Sequence, residues 1–270
     1  ANIAFISVSL LTSEESFLSW GWRIPFLISF VLVIISMYIQ LRLEDTKAFK
    51  ELEAAKSSQD NAKQEIKSSP ILEALRRYPQ RISLAAGAFL TIQVTFYILV
   101  AFILAYGVQT TELSRNDLLA AVLIGSAIMV PVQFYFSHYS DKNGRKGIFM
   151  AGAFLTALWS FFLFPLIDTG NFYLVILAVT VGLAFLGMMY GPQAAFFAEL
   201  FSTEVRYSGA SLGYQIGAIL GGSFAPTIAT LLWTSYDIFW VSVYIALASA
   251  ASLISVYFLT ETYKTDLNNN

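Results

Sequence analysis

A charged stretch around Asp141 has the residue types and the spacing to hold a tight turn between two helices. The Asp141 carboxylate can accept hydrogen bonds from Arg145, or from the free amides of a neighbouring helix start, where the helix dipole favours an anion. Gly144 supplies the positive φ that a sharp reversal requires, and Lys146 adds a second cation. The stretch therefore predicts a charge-held turn, although basic residues alone are also typical of loops that set the orientation of a membrane protein.

A second charged group follows at Glu199, Glu204 and Arg206. Their spacing predicts a cluster of ion pairs, with Arg206 just before a helix that starts near Ser208. Exposed ion pairs contribute only about 0–1 kcal/mol each. Two interpretations are therefore open. The pairs form a switch that is made and broken, or they are an exposed cluster that is merely solvated.

Uncharged polar side chains interrupt long apolar stretches of the chain. Burying such groups is unfavourable unless they pair with each other or face water. They are candidates for the wall of a binding cavity, and hydrogen bonds between helices are the alternative. The residues are Gln93, Tyr97, Gln133, Tyr190, Gln193, Tyr214 and Gln215.

Small residues recur every four positions in two of these stretches. That spacing places them on one face of a helix, where neighbouring backbones can approach closely in a membrane. Helix packing is the main interpretation, and a hinge or ligand contact is compatible with it; a proline beside the glycines also favours a bend. The residues are Gly187, Gly191 and Pro192, and then Gly209, Gly213, Gly217 and Gly221.

The elements that carry these residues are predicted by composition. The 270 residues are 57% hydrophobic and only 13% charged, with a formal net charge of −2. Soluble domains carry about 25% charged residues, and nucleic-acid binders carry a basic excess. The chain is therefore predicted to be a membrane protein that does not bind nucleic acid. Because it contains no cysteine, disulfides and thiol catalysis are excluded within it.

Charge-free apolar stretches long enough to cross a bilayer recur along the chain, since a helix needs about 20 residues to do so. They predict seven complete spans, and residues 1–12 are interpreted as the end of a truncated one. The complete spans are expected at 22–41, 82–108, 117–137, 148–167, 172–197, 209–232 and 237–259.

Basic residues indicate the orientation of these spans. Of the 16 lysines and arginines, all but Arg23 and Arg115 lie on one side, which the positive-inside rule makes cytoplasmic. The C-terminus is then cytoplasmic too. A long connection on this side contains a short amphipathic helix at 71–78 after the helix-start residues Ser69 and Pro70. That helix suits either the lipid headgroup layer or a solvated linker.

An enzyme is not predicted. Gly209, Ser211 and Gly213 match the Gly-x-Ser-x-Gly nucleophile pattern, which needs a strand-to-helix turn followed by a histidine. Here the pattern lies in an apolar helical stretch, and the sole histidine, His138, precedes it. A Gly-rich phosphate loop with its lysine is also missing from the sequence. The sequence indicates no cofactor and no metal site.

Three segments resemble a known transporter family. Residues 137–146 are similar to the Gly-x-x-x-Asp-x-x-Gly-Arg-Lys loop of the major facilitator superfamily, with Ser137 in place of its first glycine. Residues 199–214 and 21–27 resemble the metabolite:proton symporters, in particular the shikimate-type branch. Ser202 stands where related sequences have proline.

The resemblance implies an all-α integral membrane fold, the C-terminal six-helix bundle of a major facilitator. Residues 1–43 would end the N-terminal six-helix half, 44–81 would link the halves, and 82–260 would form the C-terminal half. Residues 261–270 would be a cytoplasmic tail.

The resemblance also implies a secondary active transporter in a bacterial inner membrane, moving shikimate, a dicarboxylate, or proline or betaine with a proton by alternating access. The polar residues on the first, second, fourth and fifth helices would line the cavity, and the two charged groups would form a cytoplasmic gate. The middle of the six helices holds no carboxylate, histidine, lysine or arginine, so the coupling carboxylate is expected in the N-terminal half. The expected partners are the metabolite, the proton, the bilayer and that half, in a monomer. A transporter-like sensor is the alternative.

Overall fold

The computed structural model describes residues 7–8, 11–42 and 70–263. The chain divides into two compact units, the first ending at Lys63 and the second beginning at Gln64. Most of the stub predicted at 1–12, the linker as far as residue 69 and the tail from 264 lie outside the described residues.

In the first unit, a short helix precedes a long apolar one. Helix α1 is Glu14–Ser19, and the Ser13 side chain caps it by accepting from the Ser16 amide at 3.3 Å. Helix α2, Gly21–Arg42, has no buried residue in its hydrophobic stretch. A helix of this length that is apolar on every face suits a lipid environment.

The second unit is a bundle of helices joined by short turns. Helix α3 is a short amphipathic helix, and its Ala74 is fully buried. The others are long enough to cross a bilayer. The bounds are α3, Pro70–Arg77; α4, Pro79–Thr110; α5, Arg115–Asn143; α6, Arg145–Asp168; α7, Phe172–Glu199; α8, Arg206–Ser235; and α9, Ile238–Phe258.

Local residue chemistry explains where these helices begin. Ser114 and Asp117 form a reciprocal capping box at the start of α5. The Asn171 side chain caps α7, and the Asp237 side chain accepts from the Phe239 amide at the start of α9. Such caps satisfy amides that have no partner within the helix.

The helices confirm the all-α membrane fold predicted from the apolar stretches. Within the described residues, seven helices are long and apolar enough to cross a membrane. Helix α4 begins at Pro79, before the charge-free stretch does, because proline is well suited to the first helical turn. Fully buried phenylalanines fill the core of the second unit, among them Phe89, Phe149, Phe164 and Phe196.

Two long helices contain a π-helical turn that the sequence pattern does not predict. In α4 it is Ile98–Phe102, and in α8 it is Ile219–Ser223. A π-turn inserts one extra residue into the helical ladder and is frequent at functional sites.

Candidate functional site

Arg145 is the centre of an ionic network at one end of the second unit, called here the Arg145 end. Its side chain binds Glu199 through two hydrogen bonds, from Nε to Oε2 and from Nη2 to Oε1, each 2.7 Å long. Its Nη1 donates to Asp141 Oδ1 at 2.9 Å. Arg145 is only 8% exposed, so the cation that joins α5, α6 and α7 is itself largely buried.

Gly144 makes this arrangement possible, because α5 ends at Asn143 and α6 begins at Arg145. Its φ of 104° is in the region that favours glycine. A Cβ atom at Gly144 would lie 2.8 Å from Glu261 Oε2. The turn therefore has the positive φ expected from the sequence. The lack of space for a Cβ beside Glu261 is a second reason why residue 144 is glycine.

The segment after α9 joins the same network. Glu261 accepts from the backbone amides of Arg145 at 2.9 Å and Lys146 at 3.1 Å. The Thr262 hydroxyl donates to Glu199 Oε2 at 2.6 Å. The sequence did not predict a role for Glu261 or Thr262, because 261–270 was interpreted as a cytoplasmic tail.

Lys146 fixes the same segment from another side. Its ammonium donates to the carbonyl oxygens of Tyr257 at 2.7 Å and Leu259 at 2.8 Å. These carbonyls belong to the end of α9, where backbone acceptors lack partners within the helix.

The predicted ion-pair cluster of Glu199, Glu204 and Arg206 does not form among the described residues. Glu199 ends α7 beneath Arg145, whereas Glu204 lies in an exposed turn and pairs with Arg77 of α3 at 3.3 Å. Arg206 donates from Nη2 to Thr203 at 3.2 Å. The expectation is therefore wrong about partners, because Arg145 pairs with Glu199 and Arg77 pairs with Glu204.

Helix α3 and the residues after it hold the turn between α7 and α8. The Tyr78 hydroxyl donates to Ser202 at 3.3 Å, and the Tyr78 ring packs edge-on against Phe201. Arg81 donates to the carbonyl oxygen of Leu200 at 2.5 Å. This part of the predicted linker is thus packed on the bundle and is not simply solvated.

The predicted cavity residues fall into separate groups. Gln93 and Tyr97 of α4 face the π-turn of α8: Cβ atoms built on Gly221 and Gly222 would lie 3.0 Å from Gln93 Cβ and 2.6 Å from Tyr97 Cε2. Tyr97 is also the residue directly before the π-turn of α4.

A second group joins α7 and α8. The phenol groups of Tyr190 and Tyr214 interact with each other, and the Tyr214 ring lies 4.3 Å from the Phe89 ring. Gln193 is 5% exposed and so lies within the packed unit. Gln215, in contrast, is exposed.

The glycine stripe of α8 is a packing surface. A Cβ at Gly213 would lie 2.7 Å from Ala85 Cβ, and one at Gly217 would lie 2.7 Å from the Ala86 carbonyl oxygen. At Gly209 the neighbour is the Phe201 ring, at 2.5 Å. The backbones of α4 and α8 thus approach closely along the stripe, as small residues allow.

Helices α5 and α7 make a similar contact through Gly187 and Gly191. A Cβ at Gly191 would lie 2.5 Å from the Gln133 carbonyl oxygen and 3.0 Å from the Ser137 amide nitrogen. Pro192, the next residue, is buried in an unbroken α7.

At the opposite end of the unit, the Tyr106 hydroxyl donates to Asp168 at 2.5 Å. The Tyr106 ring packs against Phe102, Phe164 and Trp233, with ring centroids 5.0–5.8 Å away. This cluster, called here the Tyr106 end, joins α4, α6 and α8. Its residues are far apart in the sequence, so no local pattern predicts it.

The all-helical membrane fold agrees with a comparison against known families. Residues 2–212 match the model of the Major Facilitator Superfamily. The chain belongs to this superfamily. Its seven apolar helices make it a multi-pass membrane protein.

Curated relatives of this superfamily member are metabolite transporters. The inner membrane metabolite transport protein YhjE of Escherichia coli (strain K12) is 34% identical over 97% of this chain and 59% of its own length. The shikimate transporter of the same organism is 34% identical over 92% of this chain and 55% of its own length. The glycine betaine/proline/ectoine/pipecolic acid transporter OusA of Dickeya dadantii (strain 3937) is 28% identical over 95% of this chain and 52% of its own length. The chain thus spans just over half the length of these relatives.

Proposed function

We propose that the protein to which this chain belongs is a secondary active transporter of small organic metabolites that works by alternating access. The observation that carries the proposal is the Arg145 network, in which a largely buried cation bridges three helices at one end of the unit. Buried ion pairs are weak evidence for stability but are well suited to elements with two arrangements. Superfamily membership and the named relatives support the same activity.

The Arg145 network is proposed as a gate on the cytoplasmic side. Its members are the predicted Asp141, Gly144, Arg145, Lys146 and Glu199. The excess of lysine and arginine on this side supports the orientation, with the C-terminus cytoplasmic. The bilayer is proposed to be the bacterial inner membrane, as in the name of one relative.

The proposed substrate wall consists of amide and phenol groups. The wall offers hydrogen bonds and no formal charge. Its groups come from Gln93 and Tyr97 on one side, and from Tyr190 and Tyr214 on another. A shikimate, dicarboxylate, proline or betaine substrate would then find its counter-charge elsewhere in the protein. Proton symport also requires a titratable group that faces each side in turn. The second unit has no carboxylate, histidine, lysine or arginine in the middle of its long helices, so this group too is proposed to lie in the remaining half.

Uptake into vesicles tests the proposal directly. Vesicles with the full-length protein should accumulate at least one labelled compound from a panel of shikimate, dicarboxylates, proline and betaine. An uncoupler should abolish accumulation but preserve counterflow of labelled against unlabelled substrate. Substrate binding without counterflow would instead indicate a sensor, and accumulation that resists the uncoupler would contradict proton coupling.

A further inference from the structure

The segment after α9 is bound to both the backbone and the side-chain partner of Arg145. We propose that Glu261 and Thr262 are positioning residues of the gate, which hold Arg145 and Glu199 in their bonded arrangement and must release them when the gate opens. This inference rests on the proposed function, because it assigns these residues to a gate.

Glu261 acts on the start of α6. The amides of Arg145 and Lys146 belong to the first turn, so the helix itself offers them no acceptor. Both carboxylate oxygens of Glu261 fill that role, Oε1 at 2.9 Å and Oε2 at 3.1 Å. A carboxylate at this position also interacts favourably with the helix dipole. The residue that supplies this cap is 116 positions away along the chain.

Thr262 acts on the other partner of Arg145. Its side chain shares Glu199 Oε2 with Arg145 Nε, at 2.6 Å and 2.7 Å respectively. Thr262 is 3% exposed, so this hydroxyl is held inside the packed unit. Thr260 is exposed, which makes it a matched control two residues away.

A cysteine in place of Ser140 reports on the network. Ser140 is fully buried and lies beside Arg145, whose Nη1 is 3.4 Å from its hydroxyl oxygen. The described chain has no native cysteine. The full-length protein carrying Ser140→Cys, with any cysteine outside these 270 residues replaced, is labelled with a maleimide in membrane vesicles.

Glu261→Ala and Thr262→Val should each raise the labelling rate of this reporter about fivefold, the effect of losing one capping-type hydrogen bond. Thr260→Val should leave the rate unchanged. If both test variants label at the parent rate, the inference is wrong. Two variants at separate atoms keep the test valid if one of them fails to insert.

A second reporter separates a gate from general loosening. Ser160→Cys lies on the same helix α6, is 2% exposed and sits next to α9. Its labelling should not change in either variant, and a parallel rise at both reporters would overturn the inference. Labelling needs no substrate. A protein that transports nothing in the uptake panel yet shows the selective rise at residue 140 would therefore refute the proposed transport and retain the assignment of Glu261 and Thr262 as positioning residues.

Discussion

At the scale of single residues, Arg145 has two carboxylate partners in different surroundings. The Glu199 side chain is 12% exposed, whereas that of Asp141 is 54% exposed. Because solvent screens the exposed pair, the Arg145–Glu199 contact carries more of the network's free energy. Removing one partner of a buried pair leaves the other charge buried and uncompensated.

Glu199→Gln should therefore destabilise the protein more than Asp141→Asn. We expect a loss of about 3 kcal/mol for the first variant and at most about 1 kcal/mol for the second. Both should insert into the membrane and transport more slowly. Unfolding in detergent and uptake in vesicles measure the two effects. Equal destabilisation by the two variants would show that burial does not decide which of the two contacts contributes more to stability.

The sequence predicts part of this network and misses the rest for a physical reason. Asp141, Gly144 and Arg145 lie close together in the chain, so their spacing alone predicts a charged turn. Glu261 and Thr262 reach that turn only because α9 returns beside α6, and no local pattern encodes this contact. The pairing of Glu204 with Arg77, 127 positions away, is missed for the same reason.

At the scale of helices, close approach of backbones is the main feature of the bundle. The contact of α5 with α7 at Gly191 involves backbone atoms of Gln133 and Ser137, which cannot rotate away as a side-chain tip can. Gly147 on α6 has no neighbouring atom within 4 Å of an added Cβ. The two glycines therefore form a matched pair.

Gly191→Ala should cost about 1–3 kcal/mol by overpacking and should slow transport. Gly147→Ala should be neutral or slightly stabilising, because alanine is the better helix former. Melting in detergent and uptake in vesicles test both variants. A Gly191→Ala protein as stable and active as the parent would show that the two helices can separate at no cost.

The sequence predicts where the long helices lie, but it does not predict the π-turns within them. The apolar stretches predict the long helices because a bilayer demands internal hydrogen bonding over that length. The π-turns at Ile98–Phe102 and Ile219–Ser223 leave hydropathy unchanged. The π-turn of α8 lies against Gln93 and Tyr97 of α4, a tertiary contact that hydropathy does not report.

At the scale of the whole second unit, different chemistry holds its two ends. The Arg145 end is held by ion pairs of Arg145 with Asp141 and Glu199, and by the segment after α9. The Tyr106 end uses one phenol–carboxylate hydrogen bond within an aromatic cluster. Helix α6 runs from one end to the other, and its 24 residues span about 36 Å at 1.5 Å per residue.

Because the two ends share no side chains, their contributions to stability should add. Tyr106→Phe should cost about 1 kcal/mol, since it removes a hydrogen bond and keeps the ring packing. Combined with Glu199→Gln, the total loss should equal the sum of the single losses within about 0.5 kcal/mol. Denaturant unfolding of the two single variants and the double variant measures this. A larger deviation would mean that the helices transmit strain between the ends.

The contact at Gly191 has a consequence for reading related sequences. Ser137 occupies the position where the similar loop begins with glycine, yet its backbone still meets the neighbouring helix, because Gly191 on the other side of the contact has no side chain. The requirement for glycine at this crossing therefore lies at position 191, because its Cβ would meet backbone atoms that every residue at 133 and 137 carries. A glycine at position 137 should therefore not rescue Gly191→Ala, and a serine at the start of the loop does not by itself indicate a looser crossing of the two helices.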